Sequence, residues 1–155
     1  MVLIREISAL LISYLISFCF ITFLFVYILN VPGKITGNQE LVDEYYLKGF
    51  IVNIPFDVLL VLAYLLFAQL IIYGIGVKNI VIRILIVMFT TLCISGYFYN
   101  MYLSYPENKN SFFSRWFHAV GIKAVIYDIV SVTAIYGIMV YILIQTTYKL
   151  NMGLK

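Results

Sequence analysis

The chain has 155 residues, of which 64% are hydrophobic and 11% charged, and its formal net charge is +3. Soluble domains contain roughly 45–50% apolar and about 25% charged residues, so this composition excludes a soluble enzyme, a disordered chain and a nucleic-acid-binding domain. The apolar excess predicts an integral membrane protein whose surface faces the lipid bilayer.

Four long apolar segments predict transmembrane helices, because a helix needs about 20 apolar residues to cross the hydrocarbon core. The segments cover Ile7–Leu29, about Ile51–Val77, about Ile84–Leu103 and about Ala124–Tyr148. The first is too long for the apolar part of a signal peptide and lacks a small-residue cleavage site, so we interpret it as a retained helix. The runs are continuous rather than alternating, which favours helices over barrel strands. The sequence therefore predicts an all-α polytopic fold, with residues 1–155 as a single transmembrane domain.

Short and long links alternate between these spans. A turn near Lys78 and Asn79 joins spans two and three, whereas the links at about residues 30–50 and 104–123 lie on the opposite face. Lys and Arg residues are equally numerous on the two faces, but those on the terminal face lie in shorter segments. The positive-inside rule then predicts that both termini face the cytosol.

Matches between segments of the sequence indicate two similar halves, residues 1–77 and 78–155. Asp57 and Asp128 lie 71 residues apart in similar local sequences, and the ends of spans one and three match at a spacing of 74. A loss of three residues from the second long link accounts for the change of spacing. We predict a parallel repeat in which each half is a hairpin of two spans joined through a loop helix, with chance similarity as the alternative.

Each long link contains a predicted amphipathic helix. Apolar residues recur at i, i+1, i+4 and i+5 in both links, which places them in one stripe on a helix. The stripes comprise Leu41, Val42, Tyr45 and Tyr46 in the first link and Phe112, Phe113, Trp116 and Phe117 in the second. Because aromatic-rich amphipathic helices beside a span lie in the membrane interface, we predict this location for both.

The polar faces of the two loop helices carry opposite charges. Glu40 or Glu44 of the first could pair with Lys109 or Arg115 of the second, or the two faces could be solvated independently. An exposed pair contributes little to stability, so it would align the halves rather than hold them together. These helices also provide the only well-developed polar surface. We therefore predict that a protein partner contacts Glu40, Glu44, Tyr45, Tyr46, Lys109, Arg115, Trp116 and Phe117.

Asp57 and Asp128 form a candidate functional pair inside the membrane. An aspartate at the bilayer centre costs about 2.5–3.5 kcal/mol on insertion scales, and intramembrane acids are therefore typical of proton relays, cation sites or pairs with a basic residue. The structural alternative is that Asn53 caps helix two with Pro55 in its first turn. Asp57 would then lie near the positive end of the helix dipole, and both acids would reach the headgroups or bond to a facing helix.

Other reactive side chains do not form a recognised site. Cys19 and Cys93 are isolated mid-span residues, and His118 is the only histidine. A metal centre needs several ligands at set spacings, and buried lone cysteines behave as small apolar residues. The sequence therefore predicts no catalytic residue, no metal and no cofactor.

Small residues recur every four positions along helix one, at Ala9, Ser13 and Ser17. A face of this kind lets two helices approach closely in lipid. We predict that it packs either within the bundle or against a second copy of the chain.

The region from Ser111 to Met139 contains R-W-F at 115–117 and G-x-K-A-V-x-Y-D at 121–128. In these motifs it resembles small four-pass membrane proteins encoded by large eukaryotic DNA viruses. The resemblance implies a protein of the internal virion membrane that can bind the inner face of the capsid, and it transfers no catalytic residue.

Together these features predict a non-enzymatic structural or scaffolding protein that assembles with other membrane or capsid proteins through its loop-side surface. The alternative is a small ion or proton pathway, or an accessory subunit of a membrane energy complex, that uses Asp57 and Asp128.

Overall fold

A computed structural model describes the backbone of residues 2–152 and the side chains of residues 7–146. This part of the chain contains helices and no strand, which confirms the predicted all-α class. The α-helices are α1 (Val2–Thr22), α2 (Val31–Thr36), α3 (Gln39–Asp43), α4 (Phe50–Ile75), α5 (Ile80–Leu103), α6 (Phe112–Val120) and α7 (Ile122–Met152). Two π-helical segments, Phe23–Ile28 and Glu44–Lys48, continue α1 and α3.

Four helices are long and apolar enough to cross a membrane, and the chain is a multi-pass integral membrane protein. They cover Ile7–Ile28, Phe50–Ile75, Ile80–Leu103 and Ile122–Thr146, close to the predicted spans. The side chains of Arg5, Lys149 and Lys155, on which the predicted orientation partly rests, lie outside the described residues.

Local signals set the helix ends. Gly76 adopts a φ of 74° after α4, a left-handed conformation that glycine allows at the end of a helix. The side chain of Asn79 then caps α5 by accepting a hydrogen bond from the Val81 amide at 2.8 Å. The result is a tight antiparallel turn between α4 and α5.

The two hairpins of the chain are packed differently. Helix α7 lies along both α1 and α5, and α4 packs mainly against α5. Helices α1 and α4 meet only over a short stretch, where the Tyr14 hydroxyl donates to the Val58 carbonyl at 2.5 Å. The two spans of the second hairpin, α5 and α7, therefore pack against each other, whereas α1 packs mainly against α7 in the other half of the chain.

The loop helices form a second core beyond the one inside the bundle. Leu41, Val42, Tyr45 and Tyr46 pack with Trp116 and Phe117 in a single buried cluster. The location of these helices in the membrane interface stays a prediction. The stripes face each other and the ends of the spans, which removes their apolar area from water without lipid.

Buried positions recur at the spacings of the predicted repeat. Ser17 and Thr91, which lie 74 residues apart, are both 0% exposed. Their hydroxyls donate to the carbonyls of Ser13 at 2.6 Å and Val87 at 2.9 Å, one helical turn earlier in each case. Tyr64, Leu65 and Ala68 of α4 and Ile135, Tyr136 and Met139 of α7, 71 residues apart, are likewise all buried. The pattern agrees with a duplication, which stays a prediction.

The start of α4 differs from the expected cap. The helix begins at Phe50, so Pro55 lies inside it and Asn53 does not cap it. Instead the Asn53 side chain donates to the carbonyl of Tyr45 at 3.0 Å and ties α4 to the preceding π-helical segment. Asp57 and Asp128 consequently each lie about two turns into their helices.

Candidate functional site

A partly enclosed cavity lies where the loop helices cover the ends of the spans. Its volume is about 700 Å³, including its mouth. We call it the aspartate cavity, because Asp57 of α4 and Asp128 of α7 both line it. The remaining lining residues are Tyr45, Tyr46, Phe56, Leu60, Tyr64, Phe98, Tyr102, Phe112, Phe113, Trp116, Phe117 and Tyr127. The structure thus brings the two acids of the predicted repeat to one place.

Each aspartate accepts a hydrogen bond from a hydroxyl on a different element. Tyr45, in the second π-helical segment, donates to Asp57 Oδ1 at 2.6 Å. Ser95 of α5 donates to Asp128 Oδ2 at 2.5 Å. Within the described chain these bonds satisfy one oxygen of each carboxylate, and both side chains are half-buried. No other described residue donates a hydrogen bond to the second oxygen of either carboxylate.

The cavity has acidic groups and no counter-charge of its own. Its described lining residues include two aspartates and no Lys, Arg or His. Charged groups at this depth normally pair with an opposite charge or a metal. A pair of carboxylates without a basic partner therefore favours the binding of protons or a cation.

Aromatic rings form most of the cavity wall. Phe112 lies 4.8 Å from Tyr45 and 5.8 Å from Trp116 between ring centroids. On another side, Tyr102 stacks on Phe117 at 5.4 Å with an interplanar angle of 17°. The faces of such rings carry negative electrostatic potential and attract cations.

Tyrosine hydroxyls form further hydrogen bonds beside the cavity. The hydroxyls of Tyr46 and Tyr127 lie 2.9 Å apart, and Tyr27 donates to the carbonyl of Tyr46 at 3.0 Å. Burial, followed by the negative charge of Asp57, raises the pKa of Tyr45 above its usual range. Burial, followed by the neighbouring Tyr127, raises the pKa of Tyr46 in the same way. Both residues therefore remain neutral hydrogen-bond donors across the physiological pH range.

An ion pair joins the two loop helices beside the cavity. Arg115 Nη1 donates to Glu44 Oε2 at 2.8 Å, and Nη2 contacts Oε1 of the same carboxylate. The hydrogen bond from Arg115 lowers the pKa of Glu44 below its usual value, and the same bond raises the pKa of Arg115. The pairing expected between the loop helices is present for these two residues. Glu40 and Lys109, the alternative partners, are exposed.

The aromatic residues predicted to contact partners are buried instead. Tyr45, Tyr46, Trp116 and Phe117 are 6%, 7%, 9% and 6% exposed. The prediction is corrected because the two apolar stripes pack against each other within the chain. Only the charged members of the predicted contact surface remain accessible.

The predicted packing face of helix one is directed into the protein. Ser13 and Ser17 are buried, and Ala9 is half-buried. Since α1 packs chiefly along α7, these small residues lie on the side that approaches the bundle.

Several residues of the cavity were not identified from the sequence as a site. Tyr127 and Phe112 line the cavity, and Ser95 bonds to Asp128. A hydroxyl at Ser95 within an apolar span is a weak signal for an interhelical bond, but the spacing gives no indication of its partner. Among the described residues no group of three or more His, Cys, Asp or Glu side chains is placed to hold a metal ion.

Comparisons with protein-family models, with curated proteins and with solved structures give no match for the chain.

Proposed function

We propose that this integral membrane protein is non-enzymatic and binds protons or a small cation at Asp57 and Asp128, as part of an ion or proton pathway. The observation that carries the proposal is the convergence of these two acids on one cavity without a basic lining residue. This arrangement favours the pathway over the scaffold that the sequence first indicated.

Charge neutrality is the physical basis of the proposal. Two carboxylates at the end of a transmembrane bundle are costly when they remain ionised and unpaired. Tyr45 and Ser95 give each acid one fixed donor and so orient it toward the cavity. Exchange of a proton or a cation at the remaining oxygens is then the chemistry that these groups can perform.

The order of the lining residues along the spans also supports a pathway. The cavity lies beneath the loop helices, and Tyr64 lines it from deeper in α4 than Asp57 does. A cation entering from the face of the long links would meet the two acids before it reached the apolar core of the bundle.

The test is a flux assay with the full chain in liposomes that contain a pH-sensitive dye. A potassium diffusion potential should drive proton movement through the native protein. We expect the double variant Asp57→Asn/Asp128→Asn to lower this flux to the level of protein-free liposomes. Glu40→Gln/Glu107→Gln is the matched control, because it removes two exposed carboxylates outside the cavity and should leave the flux unchanged. Equal flux through the native protein and the Asn variant would contradict the proposal.

A scaffold remains a second candidate because charged residues are exposed on the face of the long links. These are Lys34, Glu40, Lys48, Glu107, Lys109 and Lys123. The viral resemblance would place such a scaffold in an internal virion membrane beneath the capsid, with the termini on the cytosolic side. Charge reversal at Glu40 and Lys109 should then prevent incorporation into particles, while the Asp57→Asn/Asp128→Asn variant should be incorporated normally.

A further inference from the structure

We propose that the aspartate cavity accepts an organic ammonium ion, a tertiary or quaternary amine with apolar substituents. This inference rests on the proposed cation-binding function and specifies the class of cation. It depends on the walls of the cavity as well as on its acids.

The lining chemistry does not suit a bare metal ion. Metal cations such as Mg²⁺ and Ca²⁺ bind about six or more oxygen ligands, from carboxylates, carbonyls and water. Most of the described lining residues are aromatic, and the acidic oxygens come only from Asp57 and Asp128. Aromatic faces arranged around a positive charge are instead the environment that recognises alkylated ammonium groups.

The composition of the cavity wall supports the same class of ligand. Sites for small organic molecules have mainly apolar walls and a few placed polar groups. The aspartate cavity has this composition, because aromatic side chains form most of its wall and its two carboxylates are the charged groups. An ammonium centre near the carboxylates would leave its apolar substituents against Phe112, Trp116 and Phe117.

Two sources can supply this chemistry. The cavity lies at the level where the loop helices meet the ends of the spans, and the headgroups of the bilayer occupy the same level. The ammonium ion is therefore either a free organic cation or the choline headgroup of a phospholipid. The experiment below includes one arm for each.

The probe is benzyltrimethylammonium, titrated by calorimetry into the full chain in maltoside micelles. Trp116 is the only tryptophan of the sequence and lines the cavity, so its fluorescence gives a second readout. The uncharged carbon isostere, 2,2-dimethylpropylbenzene, matches the shape of the probe without its charge. We expect saturable binding of the cation, with an affinity at least roughly tenfold greater than that of the isostere.

Variants separate the contributions of charge and aromatic surface. Asp57→Asn/Asp128→Asn should reduce the affinity for the cation roughly tenfold or more, while Glu40→Gln/Glu107→Gln should not change it. Phe112→Leu keeps an apolar side chain but removes a ring, and it should weaken cation binding about two- to tenfold while leaving the isostere unaffected. If the double Asn variant does not fold, the two single variants and Phe112→Leu provide the same comparison.

The source is identified by lipid added to the micelles. Competition by phosphatidylcholine but not by phosphatidylglycerol assigns the site to a choline headgroup, and the absence of competition assigns it to a free cation. Equal affinity for the cation and the neutral isostere, or undiminished binding in both Asp57→Asn and Phe112→Leu, overturns the inference. If aspartate-dependent proton flux persists in that event, the proposed function stands without this ligand class; if the flux is also independent of the acids, both are wrong.

Discussion

Hydroxyl groups from neighbouring helices hold the polar side chains around the aspartate cavity in place. The pair formed by Tyr46 and Tyr127 is the most enclosed of these contacts, with each side chain 7% exposed. A buried hydroxyl that loses its partner retains the cost of leaving water, which is about 1–3 kcal/mol. One hydrogen bond between these two side chains therefore links the first loop helix to α7.

We predict that Tyr46→Phe lowers the free energy of unfolding by about 1–3 kcal/mol, because it leaves the Tyr127 hydroxyl without this partner. The double variant Tyr46→Phe/Tyr127→Phe should lose less than the sum of the two single losses, since no unpaired hydroxyl remains. Unfolding in detergent measures all three values. Tyr73→Phe, at an 85% exposed position, is the control. Strictly additive effects of the two substitutions would show that the hydroxyls are not coupled.

The connection between the second π-helical segment and α4 positions the cavity at the scale of elements. Asn53 donates from α4 to the carbonyl of Tyr45, whose own hydroxyl donates to Asp57. The two bonds run in opposite directions between the same pair of elements. They fix the angle at which the chain enters the second span.

We predict that Asn53→Ala destabilises the fold by about 0.5–1.5 kcal/mol and also weakens cation binding, because Tyr45 is then less firmly held against Asp57. Asn100→Ala is a close control. Asn100 also donates to a backbone carbonyl from within a span, but its acceptor, Gly96, belongs to the same helix. Thermal unfolding and the flux assay should separate the two variants. If the two variants lower the flux equally, the hydrogen bond from Asn53 to the Tyr45 carbonyl has no specific effect on the cavity.

The sequence predicted the helices more completely than it predicted their contacts. Span length and apolarity are local properties, so the four spans follow directly from hydropathy. An apolar residue in a span, however, is equally compatible with lipid and with another helix, so hydropathy does not give the packing order. The same ambiguity applies to the Tyr45 and Trp116 stripes, whose apolar residues pack against each other, a contact that the sequence did not predict.

The site was predictable only in part for a related reason. An acid within an apolar run is conspicuous, and the spacing of Asp57 and Asp128 suggested similar depths. Their convergence on one cavity depends on the contacts of α7 with α5 and of α5 with α4. These are tertiary relations between spans, and no local pattern of residues encodes them.

At the scale of the whole molecule, the two halves depend on each other. Helix α1 packs along α7, α4 packs against α5, and the buried cluster of the loop helices contains residues from both halves. The connection between the halves, by contrast, is only the short turn that contains Gly76 and Asn79. The two halves are therefore held together by the packing of their helices rather than by the peptide that joins them.

We predict that residues 1–77 and 78–155, expressed together as separate chains, copurify through a tag on either one. The first fragment expressed alone should be degraded or aggregate, because α1 and α4 meet only over a short stretch. Glu44→Arg in the first fragment should reduce copurification, and Arg115→Glu in the second should restore it. Independent stability of the first fragment in the membrane would contradict this account.

Glu44 and Arg115 lie 71 residues apart, so on the predicted repeat their ion pair joins one position to its own counterpart. Two first halves meeting in this way would bring glutamate against glutamate, and two second halves would bring arginine against arginine. Like charges disfavour both arrangements and leave the mixed pair as the preferred one. On that repeat, a single ancestral unit could not have made this bridge with an identical copy of itself. The opposite charges would then belong to two units that had already diverged, and they favour the pairing of a first half with a second half.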